Sequence, residues 1–316
     1  MDVRIATFNC ENLFARFKFK SNVNLDKITK DGWAVDKTKF DILNPTEKKL
    51  TAQTILQTKA QVVALQEVES LETLKKFRSD YLGGRKLYPY CLVIDGNDPR
   101  KIDVAILSKY PITNIATHVN DYNSATKSYY FSRDCLECDI VLPGSKKIRL
   151  FVNHFKSMLD KSNPCKGREL TREKRNRQAK KVMEIVSEQM NLDKDNFVIL
   201  GDFNDYLEDD SQGKTAIREL LEWSKIENVV LRLPKNDQWT HYYEGNKKCN
   251  TGESYKQIDY ILISKALAKA NPKAKPEIIR QGITTKAKKY TGKRFAGVTA
   301  KISASDHCPV AMTLKV

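Results

Sequence analysis

Six apolar runs in this chain end or begin in side chains that can bind a cation or move a proton. "VRIATFN" closes on Asn9, "VVALQE" on Glu67, "IRLFVNH" on Asn153 and His154, and "FVILGDFN" on Asp202 and Asn204. Asp259 opens "DYILIS", and Asp306 with His307 precedes "PVAMTL". If the last two strands run antiparallel to the first four, all these groups meet on one rim. A hard divalent cation takes oxygen ligands, so Glu67, Asn9 and Asp306 suit Mg²⁺ or Mn²⁺. Phosphoester hydrolysis needs a positioned water, charge neutralisation at the phosphate and a proton for the leaving oxygen. His154 and His307 can supply the proton transfers, with Asp259 orienting His307. Each residue alone has a plainer use: "GDFND" makes a good turn, and Asn9 could simply cap a strand. The recurrence of one arrangement at six strand ends argues against the plain uses taken together.

The elements that must carry these groups alternate along the chain. Helices are expected at "NPTEKKLTAQTILQTKA", "SLETLKKFRSDYL", "RELTREKRNRQAKKVMEIVSEQM" and "KTAIRELLEW". The first opens with Asn44 as N-cap, Pro45 at the first helical position and Glu47 placed to close a capping box. Leu50, Ile55 and Leu56 mark its buried side. In the third, Ala179, Val182, Met183, Val186 and Met190 recur at helical spacing behind a strongly basic first half. Further strands are expected at "CLVID", "DVAILS", "CLECDIVL" and "NVVLRL". So many strands with few helices point to an α/β fold in which two sheets pack face to face with helices outside. Long polar loops fall at 17–43, 111–131, 157–168, 240–256 and 284–304, and loops of that length are usually functional.

The 316 residues show no internal repeat and no linker, so one domain over 1–316 is expected. Lys plus Arg number 55 against 39 Asp plus Glu, a net charge of +16 that favours polyanionic partners and disfavours self-association, so a monomer is expected. No apolar stretch approaches the ~20 residues of a membrane-spanning helix. The N-terminus reads as a strand, not as a signal peptide, and a cytoplasmic location is expected unless a signal was removed. Seven cysteines cannot all pair. Cys135 and Cys138 fall on opposite faces of a strand and should not share a metal or a bond. Cys165 and Cys249, both in polar loops, remain free to pair or not.

"TFNCENLF", "LQEVE", "NHFKS", "GDFND", "IDYILIS" and "SDHCPV", in this order, resemble the endonuclease/exonuclease/phosphatase superfamily, which includes DNase I, exonuclease III, sphingomyelinases and inositol polyphosphate 5-phosphatases. The resemblance spans nearly the whole chain. It implies a four-layer α/β sandwich of two mixed sheets flanked by helices, and metal-dependent phosphoester hydrolysis. It makes Glu67 the main metal ligand with Asn9 beside it and Asp306 completing the metal side. Asp202 and Asn204 would position water and phosphate, and Asp259 would polarise His307. His154 resembles the second histidine of DNase I-like members, with Asp103 as its expected partner. Arg133 resembles a rim arginine that contacts phosphate. Glu11 and Asn12 recur in relatives resembling bacterial nucleases. The chain lacks the "YxPN"-like segment of abasic-site endonucleases, having "VNHFKS" there.

A DNase I-like endonuclease of low sequence specificity, acting on DNA and also RNA, is the expectation that the charge supports. Lys156, Lys161, Lys166 and Arg168 lie near the rim loops and could meet phosphates. A hydrolase of small or lipid phosphoesters shares the chemistry and would want an exposed apolar loop, for which "KSYYF" at 127–131 is a modest candidate. A catalytically inactive polyanion-binding module would need neither the acids nor the histidines.

Overall fold

Runs such as "VVALQEV" and "FVILGD" are apolar at almost every position, the mark of strands covered on both faces. The computed structural model describes residues 1–14, 44–210 and 212–316, with the backbone of 17–19 and 40–42. The expected loop over 17–43 therefore lies largely outside the described residues. The two main sheets use twelve strands. In chain order they are β1 (Asp2–Leu13), β2 (Val62–Val68), β3 (Tyr90–Val93), β4 (Asp103–Ser108), β5 (Ile112–Ala116) and β6 (Cys135–Val141). β7 (Lys147–His154), β8 (Phe197–Asp202), β9 (Ile226–Asn228), β10 (Asp259–Ser264), β11 (Glu277–Ile278) and β12 (Val310–Lys315) follow.

One sheet has the order β11-β12-β1-β2-β4-β3 and the other β9-β10-β8-β7-β6-β5. Each is built around one parallel pair, β1 with β2 and β7 with β8. The strand flanking each pair on either side runs antiparallel to it. This polarity sends the C-terminal ends of four strands and the N-terminal ends of β10 and β12 to the same rim, as the sequence requires.

Burial follows the two faces of each strand. Val3, Ile5, Val62 and Ala64 meet Leu150, Val152, Val198 and Leu200 between the sheets. Helices α1 (Pro45–Gln57) and α2 (Leu71–Tyr81) place Leu50, Ile55, Leu74 and Phe77 on the outer face of the first sheet. α3 (Gly167–Gln189) and α4 (Arg218–Leu221) cover the second with Ala179, Val182, Val186 and Leu220. The result is the expected four-layer α/β sandwich. A fifth helix, α5 (Lys265–Ala270), follows β10 directly. Cys138 faces the space between the sheets and Cys135 the α3 side, so the two stay apart as their spacing requires.

Local chemistry overrides several sequence expectations. Asn44 takes the left-handed conformation (φ 52°) and makes no side-chain cap, so the expected capping box is not formed. Leu56 is 42% exposed, because the ~100° step from Ile55 carries it off the buried face. The fourth helix shrinks to one turn, since Thr215 Oγ1 donates to Tyr206 O and Ala216 N–H to Asp205, holding the preceding residues in the β8 loop. "NVVLRL" is not a strand. The Asn228 side chain accepts from Val230 N–H and turns Val229–Arg232 into a 3₁₀ helix. The loop read at 240–256 contains a hairpin, His241–Tyr243 with Ser254–Lys256, and that at 111–131 contains β5 and a second hairpin, Tyr122–Asn123 with Ser128–Tyr129. Cys165 and Cys249 do form a disulfide, and the other five cysteines are free.

Candidate active site

The site is assembled where strand register breaks. The β1–β2 pairing shifts between Asn9 and Leu13, and the β2–β4 pairing between Leu65 and Val68. Glu11 (φ 47°), Asn12 (φ 69°) and Glu67 (φ 65°) take left-handed backbone there. Bulges of this kind re-aim side chains. Here they bring Glu67 Oε2 to the Asn12 N–H at 3.0 Å and Glu67 Oε1 toward Asn9 Nδ2 at 3.4 Å.

"GDFND" makes the other half. Gly201 has φ 135°, and a Cβ there would sit 1.9 Å from Asn153 O, so only glycine lets β8 lie this close to β7. The chain then turns through Asn204 (φ 51°), whose N–H donates to Asp202 Oδ1 at 2.8 Å and whose Nδ2 donates to Asp202 Oδ2 at 2.9 Å. Asn9 Nδ2 donates to the same Oδ2 at 2.9 Å, which joins the two sheets across the rim. His154 Nε2 lies 3.6 Å from Asp202 and 3.8 Å from Glu67. His307 Nε2 lies 3.9 Å from Asp202. Asp202 is thus the centre of the group. Burial, offset in part by His307, pushes its carboxyl up to about 6.

His307 is held from behind. Its Nδ1 lies 3.0 and 2.9 Å from the two oxygens of Asp259, which is fully buried. Thr240 Oγ1 donates to Asp259 at 2.7 Å and fixes the carboxylate. Ser305 Oγ donates to Asn9 O at 2.8 Å and accepts the His307 N–H, so the 305–307 segment is tied to β1. Burial lowers the His307 pKa, but Asp259, Asp306 and Asp202 outweigh it and hold it well above the ordinary value. His154 is pushed the other way, well below it, by burial and then by Arg133 and His307. The two imidazoles are thus shifted in opposite directions. Such opposed shifts separate acid from base roles.

The metal side is a crowd of carboxylates. Glu11 Oε2 accepts the Asp306 N–H at 3.0 Å. Glu11 is exposed at the cleft, and partial desolvation there, then the Asp306 carboxylate, with Glu67 adding, raises its carboxyl above the ordinary value. Oxygen donors that repel one another in this way fit a hard divalent cation, with Glu67 and Asp306 as the groups that would hold it. Desolvation at Asp306 is outweighed by His307 and His241, which keep it ionised. Asn9 lies beside Glu67: its oxygen accepts the Glu11 N–H at 3.0 Å and its NH₂ faces Asp202 and Glu67, so it orients these carboxylates.

Two expectations are corrected. Asp103 does not partner His154. Its Oδ1 accepts the Gly96 N–H at 2.9 Å, and neither its other oxygen nor His154 Nδ1 finds a hydrogen-bond partner. Lys156 and Arg168 are not free phosphate contacts. Lys156 Nζ donates to Ser157 O and Leu159 O, while Arg168 holds Asp205, Tyr206 O and Glu208 O and stacks on the Tyr206 ring. The basic start of α3 thus serves the loop after β8: fully buried Arg175 also pairs with Asp205, at 3.0 Å. Arg133 is 1% exposed, donates to Phe155 O and leaves its Nε without a partner, so a buried cationic donor lines the cleft.

Sequence reasoning missed His241, on the hairpin strand that bridges to His307, with its Nε2 3.4 Å from Asp306 Oδ2. It also missed Asp98, which joins Arg100 (2.8 Å) and Arg133 (3.5 Å). The count of histidines was an available signal: three of only four converge here. Glu11, Glu67, Arg133, His154, Asp202, His241, Asp306 and His307 open on one cleft of about 760 Å³, with Asp259 buried behind it. The disulfide loops also line it, through Cys165 and Cys249.

The family described as Endonuclease/Exonuclease/phosphatase matches residues 4–316. No curated protein matches the chain. Among solved structures, truncated Caenorhabditis elegans TDP2 is 16% identical, with a TM-score of 0.58 over 100% of this chain and 98% of that one. A beta toxin from Staphylococcus aureus is 16% identical, with a TM-score of 0.58 over 98% and 99%. A mannosyl-6-phosphatase from Bacteroides thetaiotaomicron is 15% identical, with a TM-score of 0.57 over 99% and 100%. At these identities the likeness is one of fold.

Proposed function

We propose that this chain, which belongs to the endonuclease/exonuclease/phosphatase family of metal-dependent phosphoesterase hydrolases, is an endonuclease cleaving DNA, and RNA as well, with little sequence preference. The observation that carries the phosphodiesterase chemistry is the Asp202-centred constellation, with His307 and His154 on either side. Asp202 and Asn204 orient the attacking water, and the Asp202 carboxylate takes the proton that the water loses as its oxygen bonds to phosphorus. Protonated His307, backed by Asp259, neutralises the phosphate and gives its Nε2 proton to the leaving oxygen. His154 and the free Nε of Arg133 hold the non-bridging oxygens. A divalent cation, Mg²⁺ or Mn²⁺, held by Glu67 and Asp306 would stabilise the charge developing on phosphate.

The net charge of +16 and the open cleft support nucleic acid as the substrate. A smaller or lipid phosphoester is favoured instead by the apolar groups on the cleft walls, Leu159 at 55% and Tyr243 at 41% exposure. The disulfide supports work in an oxidising compartment over the cytoplasm. Among the described residues no helix is long and apolar enough to cross a membrane. A panel of duplex DNA, single-stranded DNA, RNA, sphingomyelin vesicles and a sugar phosphate, each with Mg²⁺ and with chelator, tests the reading. Chelator-sensitive cleavage of nucleic acid at internal positions is expected. Turnover confined to the lipid or the sugar phosphate would replace it.

A further inference from the structure

His241 has no part in the proton transfers, yet the fold fixes it with care. Its strand pairs with the segment that carries the site: Tyr242 N–H donates to Asp306 O at 3.0 Å, Cys308 N–H to Thr240 O at 2.6 Å, and His241 bridges to His307. Along this strand Thr240 turns inward to Asp259, while His241 turns to the Asp306 carboxylate. His241 Nε2 lies 3.4 Å from Asp306 Oδ2, and His307 Nε2 3.7 Å from Asp306 Oδ1. The two imidazole rings are 4.7 Å apart, and the three ligand atoms lie within 4.8 Å of one another.

We propose that His241, Asp306 and His307 form a zinc site at the cleft, and that Zn²⁺ bound there inhibits hydrolysis. Two imidazole nitrogens and one carboxylate oxygen are a borderline donor set that suits Zn²⁺, whereas the carboxylates on the Glu67 side suit a hard cation. A tetrahedral zinc with ligands at ~2.0–2.1 Å sets its ligand atoms about 3.3 Å apart. The 3.4 and 3.7 Å separations run to different oxygens of Asp306, and the three ligand atoms lie within 4.8 Å, so side-chain rotation closing up to ~1.5 Å completes the site. The outer shell is also present. Asp259 holds His307 Nδ1, the carboxylate–histidine arrangement that fixes a ligating imidazole with its Nε2 toward the metal. A fourth position faces the open cleft. Zinc on His307 Nε2 displaces the proton of that nitrogen to solvent and removes the group that serves the leaving oxygen. It also takes Asp306 from the hard-cation side. The inhibition rests on the role given to His307 above; the binding does not.

The test has two arms, both on the full chain after removal of metal. Calorimetric titration with ZnCl₂ alone should show one tight site in the wild type, weakened at least ~10-fold in His241→Asn and in His241→Gln. Two variants, each checked by circular dichroism, guard against a folding defect in one. In the second arm, hydrolysis of a chromogenic phosphodiester at saturating Mg²⁺ is followed as zinc is added, each protein scaled to its own zinc-free rate. The wild type should lose activity as the tight site fills, and both variants should need at least ~10-fold more zinc for the same loss. Equal zinc affinity in folded wild type and variants would overturn the site. Tight His241-dependent binding without loss of rate would overturn the inhibition. If no protein hydrolyses the ester, the proposed function fails and calorimetry still decides the site.

Discussion

Replacing Asp259 by Asn leaves the volume at β10 almost unchanged and removes the charge behind His307. The carboxylate is fully buried, 2.9 Å from His307 Nδ1, and already ordered by Thr240. At an effective dielectric of ~20 and a charge separation of ~4 Å, the pair is worth about 4 kcal/mol, so losing the charge lowers the pKa of the imidazole. The carboxamide can also turn its NH₂ to Nδ1 and favour the wrong tautomer. Loss of positioned acid–base assistance typically costs ~10²–10⁴-fold, and an aspartate-to-asparagine change behind a catalytic histidine falls near the top of that range. The active form is protonated His307, so activity falls as pH rises through its pKa. That alkaline limb should move to lower pH in the variant. The assay is the pH–rate profile of phosphodiester hydrolysis for wild type, Asp259→Asn, His307→Ala and the double variant. The double variant should be little worse than His307→Ala, because residues acting as a unit are not additive. An Asp259→Asn rate close to wild type, an unmoved alkaline limb, or fully additive losses would refute the reasoning.

Arg175→Met should lower stability by about 3 kcal/mol, since it strips one guanidinium from buried Asp205; chemical denaturation checks this, and Arg175→Met with Asp205→Asn should recover part of the loss. At His118, burial lowers the pKa but Glu137 and Asp121 outweigh it, so the folded value lies above the ordinary 6.5. Its stabilisation is therefore complete below ~6.5 and lost as pH rises through the folded value, so the stability gap between wild type and His118→Asn should shrink between pH 6 and pH 9. If Lys161 and Lys166 meet DNA phosphates, replacing both with Gln should flatten the slope of log affinity against log salt by up to ~1.8, measured on a catalytically silent Asp202→Asn background. An unchanged slope would take these lysines out of the interface.

The rim was legible because strand ends are local. Asn9, Glu67, His154, Asp202 and His307 each terminate or precede an apolar run, and two parallel pairs with antiparallel neighbours gather such ends without further information. The two-sheet core was legible for the same reason, since alternate residues divide cleanly between its layers. Pairing choices were not. Arg168 and Lys156 look like free cations in sequence, and only packing shows them bound to Asp205 and to loop carbonyls. His241 lay in a stretch read as polar loop, where a three-residue strand is too short to show alternation. Asn44 and Glu47 fit a capping box in sequence, but the chain enters α1 through left-handed backbone that forms no such cap.

The account rests on a divalent cation at Glu67, the acid whose left-handed backbone turns its carboxylate toward Asn9 and Asn12. The most direct measurement is hydrolysis of a phosphodiester by chelator-stripped wild type and Glu67→Gln as Mg²⁺ or Mn²⁺ is restored. Stripped wild type should be inactive and recover with the cation, and Glu67→Gln should need at least ~10-fold more of it while keeping its fold. Hydrolysis that persists in chelator, or a variant with wild-type rate and wild-type metal requirement, would contradict the account.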